Sequence, residues 1–173
     1  MGSSNEETIK GWFAGRVPEA WFTGPPDVSA DRDEVLVVGT LADVELGAEA
    51  SAESLTAARS GRIRQHREDT RGSRIRIAEE AERRFARKVS WGASCGDVTE
   101  LFTTLSLPMM TRLRMHERQV LDTLVDAGVA RSRSHALAWC VKLVAGKQAE
   151  WIGELREALS HVEKARGSGP TAS

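Results

Sequence analysis

Residues 110–145 change their hydrophobic period from two to 3.6 within a few positions, and this switch constrains the fold more than any other feature. In the stretch Met110-Thr-Arg-Leu-Arg-Met115, Thr111, Leu113 and Met115 fall on one side of an extended backbone. Met110, Arg112 and Arg114 fall on the other. From Val120 the spacing turns helical: Val120, Leu121, Leu124 and Val125 mark one face of a helix that Gly128 is placed to end. Ser132 stands where a second helix needs an N-cap, and Ala136, Leu137, Cys140, Val141 and Val144 form the face that helix would bury. A lone strand leaves its backbone N–H and C=O groups unpaired. Pairing with the same strand of a second copy removes that deficit, so the pattern predicts a homodimer with an antiparallel ribbon over a four-helix core. The plainer alternative is a strand–helix–helix element inside an ordinary core.

The text from Arg112-Leu-Arg-Met-His-Glu-Arg118 to Gly128, followed by Ser132-Arg-Ser-His-Ala-Leu137, resembles the ribbon-helix-helix superfamily of DNA-binding proteins. The likeness covers about 36 of 173 residues. It implies that paired strands enter the major groove, with Met110, Arg112 and Arg114 as the base-reading positions. Arginine at alternate positions suits guanine, whose O6 and N7 match the guanidinium fork. It also implies a phosphate clamp at the start of the second helix, from Ser132, Ser134 and His135 with Arg131 and Arg133 beside them. Two departures stand out. His116 occupies a position where many members carry proline, and His135 replaces the glutamate of a capping box with Ser132.

Charge is distributed unevenly. Residues 1–58 hold 11 acids against three bases, while residues 59–88 hold ten Arg and one Lys against five acids. A polyanion responds to local potential, so Arg62, Arg64, Arg67 and Arg71 form a secondary set of nucleic-acid contacts on a chain of net charge −1. The competing expectation is that the two segments neutralise each other within one fold.

Four regions are expected. Residues 1–58 form an acidic region with a Trp/Phe/Pro segment at 12–26 and a buried strand at Glu34–Leu41, with Gly39 allowing a bulge before 42–46 continues it. Trp12, Phe13, Trp21 and Phe22 either pack on the body of the protein or dock a peptide or base. Residues 59–107 form an arginine-rich helical region broken at Gly61 and Gly72, capped again at Ser73, and closed by a loop at 91–97. In its second helix Ala78, Ala81, Phe85 and Val89 make an apolar stripe. Residues 108–162 form the dimerisation and DNA-binding module, extended by a helix carrying Trp151, Ile152, Leu155, Leu159 and Val162. Residues 1–8 and 163–173 are expected to be disordered. The fold class is therefore α+β, mostly helical: a ribbon-helix-helix-like module preceded by a small strand-plus-helix region.

Chemistry for an enzyme is missing from the text. No CxxC, HExxH, Walker or dinucleotide fingerprint occurs, and His66, His116, His135 and His161 have no metal-ligand spacing. No cofactor or metal is expected. Cys95 and Cys140 read as reduced thiols, Cys95 in a small-residue loop and Cys140 on a core face. The polar, acidic start of the chain is no secretory signal, and no apolar run is long enough to span a membrane, so a cytoplasmic protein is expected. Three functional classes remain: a homodimeric sequence-specific DNA-binding regulator, an antitoxin-like protein-interaction module acting through the N-terminal region, and a non-specific nucleoid-type binder using residues 59–88.

Overall fold

The computed structural model describes residues 3–167 except Ala48, and the backbone divides into two units, residues 1–106 and residues 107–173. The first unit is built around a four-stranded mixed sheet in the order β1-β2-β3-β4. β1 (Asp27–Ala30) and β2 (Glu34–Thr40) form an antiparallel hairpin whose turn is fixed by the Asp31 carboxylate. That side chain accepts the backbone N–H groups of Asp33 and Glu34, which also holds its acidity stronger than usual. Two helices, α2 (Ala52–Asp69) and α3 (Arg71–Phe85), then carry the chain to β3 (Lys88–Cys95), which pairs parallel to β2 from Glu34↔Lys88 to Thr40↔Ser94. β4 (Val98–Leu101) returns antiparallel through the turn at Gly96, where φ is +57°.

One continuous apolar cluster joins the sheet to its helices. Val35 and Val37 from β2 and Ala93 and Cys95 from β3 meet Ile63 of α2, Ile77 and Ala81 of α3, and Ile9 and Phe13 of α1 (Ser3–Arg16). Trp91 lies in the same cluster, its ring edge-on to Phe13 and Trp21. Gly39 is required here because the Phe22 ring lies against its Cα, leaving no room for a Cβ.

Several expectations are corrected by this unit. The N-terminal part is a mixed sheet with three helices, not a small strand-plus-helix region. Residues 3–8 belong to α1, which stops at Arg16 ahead of Pro18, because Ile9 and Phe13 are fully buried and anchor it. Residues 42–46 do not prolong β2, and no bulge occurs at Gly39: the β2–β3 register runs unbroken to Thr40. α2 passes through Gly61, and the break falls at Thr70, whose hydroxyl bonds the His66 carbonyl. Ser73 lies inside α3 instead of capping it, and its buried face is Arg74, Ile77 and Ala81. Residues 91–95, expected as loop, are the tail of β3; their small side chains fit a strand flanked by β2 and β4. Arg59 holds this end of the sheet together, bonding Asp43 through Nε and a terminal nitrogen at 2.8 and 2.6 Å and Asp97 at 2.6 Å.

The second unit is helical. α4 (Met115–Asp126), α5 (Arg133–Lys147) and α6 (Ala149–Gly167) follow a stretch, 103–114, that forms no regular element. The expected ribbon-helix-helix fold is thereby overturned: residues 110–114 join no strand among the described residues, Met115 begins α4, and Met110 is 99% exposed. Alternation of side chains supplies a strand's faces but not its hydrogen-bond partner. Helix boundaries follow the sequence more closely. Gly128 has φ +74° just beyond α4, and Ser132 caps α5 by accepting the His135 N–H at 3.2 Å. α6 runs to Gly167, so the expected disorder from 163 gives way to helix; residues 168–173 lie outside the described residues.

Candidate nucleic-acid interface

The second unit has a very small core of its own. Leu121, Ala130 and Ala136 are its only buried residues among those described, with Leu113, Leu124, Val125, Leu137 and Cys140 packed around them. Val120 of α4 and Val141 and Val144 of α5, all expected inside, are 50%, 64% and 49% exposed. On α6, Leu155, Leu159 and Val162 are exposed too, and with the half-buried Ile152 they repeat at spacings of three, four and three. That is the spacing of a helix seam that packs on another helix.

Charge in the same unit is positive: residues 107–148 carry seven Arg/Lys against three acids. Arg112, Arg114 and Arg131 are exposed and make no ion pair among the described residues. Arg114 takes the N-cap position of α4 in extended conformation, so the segment from Met110 leads straight into the helix. Arg133 is already engaged. Its guanidinium bonds both oxygens of Asp122 at 2.6 and 2.7 Å, tying α5 to α4 and holding the Asp122 carboxyl below its usual range.

At the start of α5, His135 does the work of the glutamate it replaces. While its N–H bonds Ser132 Oγ, its Nδ1 accepts the Arg131 N–H at 3.2 Å, a reciprocal cap made one residue further back. The first-turn amides of Arg133 and Ser134 have no carbonyl four residues behind them within the helix. The structure thus gathers Arg131, Ser132, Ser134 and His135 at one helix end, and places Arg112, Arg114 and Met110 on the irregular segment before α4.

The secondary arginine set is split by the fold. Arg62 bonds the carbonyls of Ala42 and Asp43 at 2.8 and 2.9 Å and serves the loop after β2. Arg64, Arg67 and Arg71 stay exposed. Arg74, which sequence reading leaves out of the set, continues their spacing but is only 7% exposed. The aromatic segment packs on the body: Trp12 contacts Phe13 and Phe85, and Trp21 contacts Phe22 and His66. Cys95 is buried, with its thiol pushed up by desolvation, so it is inert. Among the described residues no group of His, Cys, Asp or Glu is arranged to hold a metal, and no helix is long and apolar enough to cross a membrane.

Fold and surface together define a two-part chain, an α/β unit followed by a small basic helical unit. The matches to known families divide the chain in the same way. Residues 7–101 match the family described as the Rv1265-like protein N-terminal domain, and residues 114–166 match the Mb1296 C-terminal domain. The chain belongs to the Rv1265-like family. It is 54% identical over 159 residues to the proteins Mb1296 of Mycobacterium bovis and Rv1265 of Mycobacterium tuberculosis, spanning 92% of this chain and 69% of each relative. No solved structure matches it.

Proposed function

We propose that the protein is a cytoplasmic, homodimeric DNA-binding regulator whose C-terminal unit carries the DNA contacts. The observation that carries this reading is a set of arginines that make no ion pair among the described residues, Arg112 and Arg114 on the segment before α4 and Arg131 at the capped start of α5, in a unit with seven bases against three acids over residues 107–148. Phosphates are met by such exposed guanidiniums and by helix-start amides, and base edges by side chains on an extended segment. A ribbon has no part in this reading. A second copy is the occupant favoured for the exposed apolar faces of α5 and α6, because the heptad-like seam of α6 is complementary to itself and three buried residues are too few to order three helices alone. The seam also supports a second reading, a protein-interaction module; a stoichiometric second protein in the purified complex would favour it. Of the secondary set for non-specific binding, Arg62 is used inside the fold, bonding two carbonyls, while Arg64, Arg67 and Arg71 remain exposed.

Fluorescence anisotropy with the DNA upstream of the protein's own gene, against scrambled duplex and across a salt series, tests the reading. Preference for the native duplex should persist at moderate salt and vanish in the Arg112→Gln/Arg114→Gln/Arg131→Gln variant. Failure of the parent protein to bind either duplex at low salt overturns it.

A further inference from the structure

Four cations of the first unit make ion pairs among the described residues. Lys10 pairs with Glu6, Arg16 with Glu80, Arg59 with Asp43 and Asp97, and Lys88 with Glu82. Arg67, Arg71 and Arg74 are among the cations without such a pair, and of those Arg74 alone is buried. They occupy successive turns across the α2–α3 junction, and none has a carboxylate within ion-pair distance among the described residues. Asp69 on α2 accepts from Gln65 Nε2 at 2.7 Å.

Arg74 is the centre of the group. Its side chain is held on neutral partners alone, Nε donating to Thr70 Oγ1 at 3.0 Å and a terminal nitrogen to the Arg67 carbonyl at 2.7 Å. Its guanidinium lies 4.7 Å from the centre of the Phe102 ring, and the Arg67 guanidinium lies 5.8 Å from the same ring. Phe102 is itself buried, so it serves as a fixed platform. A cation that is 93% withdrawn from water, without an anion and beside two further guanidiniums, is costly unless something negative completes it. Both neighbours weigh against its charge, as does its own burial, and it in turn disfavours protonation of His66.

We propose that Arg67, Arg71 and Arg74 form an oxyanion site that takes a phosphate group, with Phe102 as its floor. Arg74 supplies the immobile guanidinium, and the exposed Arg67 and Arg71 close on the anion from either side. Planar guanidinium forks suit phosphate oxygens better than ammonium groups do. The site stands on the first unit and is independent of the DNA reading of the second. Its phosphate belongs either to a small phosphorylated ligand or to a nucleic-acid backbone.

Calorimetric titration of the full chain with sodium pyrophosphate, at ionic strength held constant with sodium chloride, tests the site. The parent should bind, and Arg67→Gln/Arg71→Gln should weaken binding about tenfold or more. Both replaced side chains are exposed, so the thermal midpoint without ligand should not move. A random-sequence duplex of about 20 base pairs distinguishes the sources. If the duplex binds the double variant as tightly as the parent while pyrophosphate does not, the ligand is a small phosphorylated molecule. If duplex affinity falls and its salt slope flattens by about two, the phosphate is that of a backbone. Unchanged binding of both probes in the double variant overturns the proposal, and so does a loss of ligand-free stability, which would make the arginines structural.

Discussion

Asp122 on α4 and Arg133 at the start of α5 are joined by two parallel hydrogen bonds of 2.6 and 2.7 Å. The pair sits on the surface, with side-chain exposures of 42% and 60%, so it fixes geometry more than it stabilises. It also withholds one guanidinium from any anion approaching the α5 start. Asp122→Asn removes the negative charge and frees Arg133. DNA should bind this variant more tightly, with a salt slope steeper by about one, measured by anisotropy across a salt series. Weaker binding would mean that the pair positions α5 instead of restraining Arg133.

Ile152, Leu155, Leu159 and Val162 repeat along α6 with a helix-pairing spacing, and most of them are open to solvent. Leu155→Glu/Leu159→Glu should convert a dimer into a monomer of 18.9 kDa in light scattering, with the helical circular dichroism of the second unit weakened but that of the first intact. An unaltered dimer would place the contact elsewhere.

Gly39 lies beneath the Phe22 ring on β2. Gly39→Ala must push that ring off the strand, and the expected cost is about 1–3 kcal/mol of stability, read from chemical denaturation. A neutral effect would show that the residues around Phe22 yield freely.

His66 gives the first unit a pH dependence of known sign. It faces Trp21, Phe22 and Phe102, with Arg74 of α3 and Asp69 of its own helix as the charged groups beside it. Burial first, and then Arg74, lower its pKa, and its Nε2 has no hydrogen-bond partner. The unfolded chain therefore takes up a proton that the folded imidazole refuses. Stability is full above the ordinary imidazole pKa and falls as pH drops through it. Thermal midpoints measured from about pH 8 to about pH 5.5 should decline, and His66→Phe should flatten that decline. An equal decline in the variant would assign it to other groups.

Local signals carried much of the second unit. Gly128 and Ser132 mark the ends of α4 and α5 because a positive φ and an N-cap are satisfied by residues within a few positions. Likewise the largely β-branched run Val35–Val38 lies within β2. Neighbouring residues could not reveal which strand pairs with which. Trp91-Gly-Ala-Ser-Cys95 reads as loop text, yet β2 and β4 on either side satisfy its backbone, while the alternating text at 110–114 has no such strand partner among the described residues and stays irregular. Charge behaved in the same way. Composition set ten arginines within residues 59–88, but only packing decided that Arg59 meets Asp43 and Asp97, that Arg62 bonds two carbonyls, and that Arg74 is buried beside Phe102 without an anion. Caps and strand-forming runs are decided over a few residues, whereas pairing and ion contact join positions tens of residues apart, and only the tertiary fold brings those together.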